Sequence, residues 1–165
     1  MGVQTAISVD EYLQTVFPDL DREYRDGEIV ERSLPDYLHG KCQLRLGVFF
    51  MSQGKALCLH PCSETRMRLS DDVVLILDIA VFHPDEPSRV PDSPPLIAIE
   101  ILSLDDRLTA AREKLGHYKA WGVPHVWLVD PQSRRLYTCD AGLTEVASLA
   151  VPELGLEITP DLIFD

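Results

Sequence analysis

The chain has 165 residues, 45% of them apolar and 25% charged, and carries a formal net charge of −12. That length supports one domain, residues 1–165, with a real core, and the composition is that of an ordinary globular protein. The acidic balance argues against a tight, non-specific nucleic-acid binder, whose footprint is basic, while leaving room for a local basic groove and favouring divalent cations at a carboxylate site.

No apolar run approaches the roughly 20 residues of a membrane span. The opening MGVQTAISVDEYL lacks the basic-then-apolar pattern of a secretory leader. Four cysteines in a chain this long do not make a disulfide framework, so a cytoplasmic, reduced setting is expected.

In chain order, Ser8-Val9-Asp10-Glu11 fits a capping box and opens a short helix that Pro18 ends. Arg22–Ser33 reads as a hairpin turning at Asp26-Gly27. Pro35–Gln53 has Leu38, Cys42, Leu46 and Phe49 at helical spacing, with Gly54 as the expected stop. Strands are expected over Ala56–His60, Glu64–Leu69 and Val73–Phe82, the last two joined by a turn at Asp71-Asp72. The segment Pro84–Pro95 holds five prolines and no periodicity, and so is a loop. A strand–helix–strand unit follows between Pro94 and Pro131, with its helix over Asp105–Trp121. The pattern then predicts a hairpin at Arg134–Cys139 and Leu143–Leu149, a strand near Leu156–Ile158 and a last turn at Leu162–Phe164. Helix, several strands, then strand–helix–strand predicts an α/β fold, a mixed β-sheet flanked by helices.

Two acids interrupt apolar strands. Glu100 stands among Ile97, Ala98, Ile99, Ile101 and Leu102, and Asp78 follows Leu75-Ile76-Leu77. A buried ionised carboxylate costs several kcal/mol unless it is paired or coordinated. If the two strands are neighbours, the acids could share a divalent cation, and hard oxygen ligands suit Mg²⁺, with Mn²⁺ as a substitute. The plainer alternative is that Asp78 caps a turn and Glu100 pairs with an arginine. On the following helix, Arg107, Lys114 and Tyr118 fall on one stripe at about 100° per residue. Lys114 therefore borders the core-facing surface and could lean over the sheet, orienting a water or neutralising developing charge. The alternative is a solvated surface lysine.

Other candidates are thinner. Cys58-Leu-His60-Pro-Cys62 could offer three soft ligands but needs a fourth, such as Cys42 or His83, and otherwise reads as buried thiols and a turn histidine. Arg66, Arg68 and Arg89, with Arg107 and Lys114, could line a modest basic groove. Ser103 reads as the cap of the next helix. Tyr118, Trp121 and Trp127 read as packing residues. Exposed strand edges and the apolar tail suggest a homodimer.

Taken together, Glu100-Ile-Leu-Ser, Lys114, Tyr118, Gly122-Val123-Pro124, Trp127 and Asp130-Pro131 resemble the Uma-type putative restriction endonuclease family of the PD-(D/E)XK nuclease superfamily. Glu23, Gly27 and Glu28 match its early E-x-x-x-G-E hairpin, His39 its helix-opening histidine, and Asp78 its strand aspartate. The resemblance runs from about Val9 to Phe164. It implies a restriction endonuclease-like core and a metal-dependent endonuclease acting on nucleic acid, DNA rather than RNA. It implies Asp78, Glu100 and the carbonyl of Ile101 as Mg²⁺ ligands, and Lys114 as the catalytic lysine in place of one at Leu102. Glu23 or Glu31 would add a supporting carboxylate, and His39 a contact to phosphate or to the metal's surroundings. Three positions depart from the family pattern: Leu77 for proline, Ala110 for aspartate and His125 for glutamate. The rival from another class is a catalytically silent binding module that keeps the fold.

Overall fold

Ten consecutive buried residues, Val73–Phe82 (β4), form the spine of the fold. An unbroken apolar run rich in valine and isoleucine suits a strand covered on both faces. The structure, a computed structural model, describes residues 7–18, 21–104, 106 and 108–165. Ahead of the spine come α1 (Val9–Gln14), the hairpin of β1 (Arg22–Arg25) and β2 (Glu28–Glu31), α2 (Tyr37–Leu57) and β3 (His60–Arg68). After it come β5 (Ile97–Ile101), α3 (Leu108–Trp121), β6 (His125–Asp130), β7 (Arg135–Cys139) and β8 (Leu143–Val146). The chain closes with β9 (Leu149–Val151), β10 (Leu156–Ile158) and α4 (Pro160–Phe164).

An eight-stranded mixed sheet runs β2-β1-β4-β5-β6-β7-β8, with β3 also paired to β4. The pair β5–β6 is parallel and is bridged by α3, as a parallel connection requires. Helices cover both faces. Ile79, Val81, Ile97, Ile99 and Trp127 pack with Cys42, Leu46 and Phe50 of α2. Ala80, Ala98, Val126 and Leu128 pack with Leu115 and Tyr118 of α3. The apolar tail belongs to the first cluster, where Ile163 and Phe164 are buried, so those two side chains are core rather than free surface.

The sheet forks at β4. Along one edge β3 pairs with it from Val74 to Phe82. On the opposite edge β1 pairs only at Val73 and Val74, and β5 only at Ile79, Ala80 and Val81. Residues 75–78 lie in the gap. The side-chain alternation also slips there, because Leu75 and Leu77 join the same apolar cluster as Ala80 and Phe82. Between the registered pairs Ser63↔Ile79 and Thr65↔Leu77 stand Asp78 and Glu64, and Glu64 takes a positive φ of 50°.

Several boundaries differ from the sequence reading. The helix expected to stop at Gly54 continues to Leu57 and closes on Cys58, which takes the left-handed conformation with its N–H on the Gly54 carbonyl. Gly54 is a site of close approach instead: a Cβ there would lie 3.2 Å from the Leu59 carbonyl oxygen. The strand expected at Ala56–His60 is thus helix end and turn, and β3 begins at His60. The expected Leu143–Leu149 strand is two, β8 and β9, the second pairing with β10 in a separate two-stranded sheet. The start expected for α3 at Asp105, and Arg107 on its stripe, lie outside the described residues. The capping box at Ser8 and Glu11 and the Asp26-Gly27 turn are as expected, both turn residues having positive φ.

Candidate active site

The polar side chains of the site satisfy backbone groups that the fork leaves unpaired. Buried N–H and C=O groups must find partners. Glu23 of β1 accepts from the Ile76 N–H at 2.9 Å. Lys114 of α3 donates to the Ile76 carbonyl at 2.6 Å. Asp78 Oδ2 accepts from the Ile101 N–H at 2.8 Å, just past the last registered pair of β4 and β5. The same contacts bring three carboxylates and an ammonium to one place.

Lys114 has three N–H donors. They face the Ile76 carbonyl, Glu23 Oε1 at 2.8 Å and Glu100 at 3.0 Å. Glu100 also accepts from the Tyr118 hydroxyl at 2.8 Å. Lys114 and Tyr118 are four residues apart on α3, which lays both on one helix face. Asp78 is held from the α2 side. Arg32 Nη2 donates to its Oδ1 at 2.8 Å, and His39 Nε2 lies 3.2 Å from its Oδ2. Gln43 Nε2 donates to the Asp78 carbonyl at 2.9 Å and to Glu64 at 2.7 Å. A cavity of about 160 Å³ opens onto Glu23, Arg32, His39, Asp78, Glu100 and Lys114.

Charge is unevenly shared. Burial pushes the Glu100 carboxyl up to about 8; Lys114 opposes this, while Asp78 and Glu23 add to it. Burial also acts to raise Asp78, but His39, Lys114 and Arg32 hold it below the ordinary value. Glu23 is likewise held low against burial by Lys114 and Arg25, the latter at 2.6 Å. Burial disfavours the charged forms of Lys114 and His39, yet the carboxylates around them carry both above their usual values. Among the described residues, Lys114 is the one cation that directly contacts Glu100, and it is shared with Glu23. Of the three carboxyls, Glu100 is the one whose value is raised, because there burial outweighs the pull of Lys114.

The structure brings Asp78, Glu100, Ile101 and Lys114 to this cavity together with His39. Of the two early glutamates, Glu23 enters the cluster, whereas Glu31 is at the rim, exposed and paired with Arg22 at 3.2 Å. Lys114 is buried, not a solvated surface lysine. Arg66 and Arg68 reach α1, through the Leu13 carbonyl and Asp10, and do not line the cavity; Arg89 is exposed in the loop after β4. Cys58 is exposed, and His60 turns to the Pro84 carbonyl. The Ser103 backbone N–H donates to Asp106 at 2.6 Å. Arg32, Gln43 and Glu64 carried no signal in the sequence, since they stand in polar segments where charged residues are ordinary. Tyr118 was placed on the Lys114 stripe but read as a packing residue, and its hydrogen bond to Glu100 was not anticipated.

Among the described residues no three His, Cys, Asp or Glu side chains are grouped as a ready-made metal centre. The Asp78 and Glu100 carboxyls, on the paired strands β4 and β5, do open onto one cavity and fit an open site for a hard cation that keeps several waters.

An α/β protein with a mixed sheet, helices on both faces and acids at a sheet fork is the class these observations define. Its likeness to a crystal structure of a putative nuclease belonging to DUF820 from Anabaena variabilis ATCC 29413 has a TM-score of 0.81 at 22% identity, over 96% of this chain and 97% of that one. At that identity the likeness carries the restriction endonuclease-like fold. The Uma2 family profile, described as putative restriction endonuclease, matches residues 9–164, and the chain belongs to that family. No curated protein matches the chain.

Proposed function

We propose that the protein is a Mg²⁺-dependent endonuclease that hydrolyses phosphodiester bonds of nucleic acid, DNA in preference to RNA. The nucleic-acid substrate rests on the family, and the preference for DNA on its description as restriction endonucleases. The observation that carries the metal dependence is geometric: Asp78 and Glu100, on the paired strands β4 and β5, open with Ile101 onto one cavity. Glu100 is the carboxyl of that cluster that burial pushes up to about 8, so its ionised form gains most from a further positive partner. A divalent cation would supply that charge. Asp78, Glu100 and the carbonyl of Ile101 are the groups we assign to hold it, with Mn²⁺ as substitute.

Bound there, the cation would polarise a phosphoryl oxygen and lower the pKa of a coordinated water. The chain's own residues do the rest. Lys114 keeps Glu23 and Glu100 in place, and its contacts to Glu100 are its longest, so that donor is the one it can turn to a water or to developing negative charge. Tyr118, on the same face of α3, fixes the rotamer of Glu100 with a second hydrogen bond. His39 and the Ile101 N–H orient Asp78 through Oδ2.

Cleavage of single- and double-stranded DNA and RNA with Mg²⁺ or Mn²⁺ tests the proposal. Wild type should cut, and Asp78→Ala and Glu100→Ala should each lose at least about 100-fold. Undiminished cleavage by either variant, or none by wild type with both metals, removes the reading.

A further inference from the structure

Asp78 has two oxygens with different commitments. Oδ2 faces two donors inside the protein, the Ile101 N–H at 2.8 Å and His39 Nε2 at 3.2 Å. Oδ1 faces one, Arg32 Nη2 at 2.8 Å. The oxygen that a cation can reach with least disruption is therefore the one that Arg32 holds. Arg32 is mostly buried, its side chain 17% exposed, and is fixed from its other end by Glu64 at 2.5 Å through Nη1. Gln43 then ties Glu64 back to the Asp78 carbonyl, closing a ring of contacts around the guanidinium. Arg32 also lines both the site cavity and a second cavity of about 280 Å³, which includes Glu64 and Gln43.

We infer that Arg32 is an internal counter-ion that competes with the divalent cation for Asp78 Oδ1 and thereby sets the metal affinity of the site. The inference rests on the proposed metal site. In the metal-free protein the guanidinium supplies the positive charge that the buried Asp78 requires. When a cation takes Oδ1, the Asp78 end of Arg32 lets go while Glu64 retains the other end. The second cavity, on the Glu64 side, gives the released nitrogen somewhere to turn. The apparent affinity is then the intrinsic one multiplied by the fraction of molecules in which Oδ1 is free. A fork with two nitrogens suits this role, since it can hold two carboxylates at once and release one. A lysine, a single point of charge, cannot bridge both in the same way.

The test is Mn²⁺ binding without substrate, by calorimetry at pH 8, on wild type, Arg32→Met, Arg32→Lys and Asp78→Asn. Arg32→Met should bind Mn²⁺ at least about 10-fold more tightly than wild type. Arg32→Lys should fall between the two and serves alone if the methionine variant does not fold. Mn²⁺ should also raise the melting temperature of the arginine variants more than that of wild type. Binding that Asp78→Asn abolishes but that is unchanged or weaker in the arginine variants overturns the competition and leaves the metal site standing. Absence of Mn²⁺ binding in wild type and arginine variants alike, or binding that survives Asp78→Asn, overturns both.

Discussion

Glu100 shows how a single residue can couple the site to the stability of the protein. Its folded carboxyl is pushed up to about 8 from an ordinary value of 4.5, first by burial and then by Asp78 and Glu23, against the pull of Lys114. Between those values the unfolded chain has released the proton and the folded chain retains it. Stability from this group is therefore full below about 4.5 and is lost as pH rises toward about 8. Glu100→Gln cannot titrate. In chelator, the melting temperature of wild type relative to Glu100→Gln should fall across that window and level off above it, as thermal melts in a pH series would show. A constant difference would mean that Glu100 is ionised in the folded protein. At this scale the sequence was legible where burial contradicts residue type. An acid in VVLILDIAVF or LIAIEIL stands out because burying it is costly, and Lys114 stood out once its helix face was drawn. Arg32 and Glu64 did not, because nothing local marks a charged residue in a polar segment as part of a site. Only the fold brings Arg32 between Asp78 and Glu64.

Elements were legible for the same reason they are stable. The ten-residue β4 was read at its observed limits, since its apolar run is bounded by Asp72 and His83. The fork in the sheet was not, because strand order and the length of each pairing depend on partners far along the chain. Gly54 misled because glycine ends helices and also permits close approach, and only the Leu59 carbonyl at 3.2 Å from a would-be Cβ decides between them. The entry to α2 has a sharper consequence. Asp36 caps the helix by accepting from the His39 N–H at 2.8 Å, and it also accepts from the Leu104 N–H at 3.2 Å. It thus ties the helix that carries His39 to the segment leaving β5, on either side of the cavity. Asp36→Ala should cost about 1 kcal/mol of stability. For a chain of this size that is roughly 2–4 °C in melting temperature. It should also lower Mn²⁺ affinity, because His39 and the end of β5 both orient Asp78. Calorimetry on the variant would separate a purely structural cap, which moves only the melting temperature, from one that also positions the site.

At the scale of the whole molecule, the resemblance over nearly the full chain fixed family and fold, whereas the charge balance sets a problem that family alone does not solve. The proposed substrate is a polyanion, and a protein of net charge −12 would have to approach it. Arg66 and Arg68 are turned toward α1, and Arg32 and Lys114 are engaged by carboxylates, so among the described residues these four do not form a free basic face. Long-range electrostatics therefore oppose encounter with nucleic acid. A cation held at Asp78 and Glu100 would reverse the local sign where a phosphate must sit. Nucleic-acid binding should accordingly depend on the metal before any bond is broken. With a fluorescently labelled duplex, anisotropy should report affinity at least about 10-fold higher in Ca²⁺, another hard oxygen-seeking cation, than in chelator. Asp78→Asn should remove the difference, and added salt should weaken what remains in either condition. Equal affinity with and without cation would place the substrate contact elsewhere on the surface, because Arg32 and Lys114 in the cavity are already engaged by carboxylates.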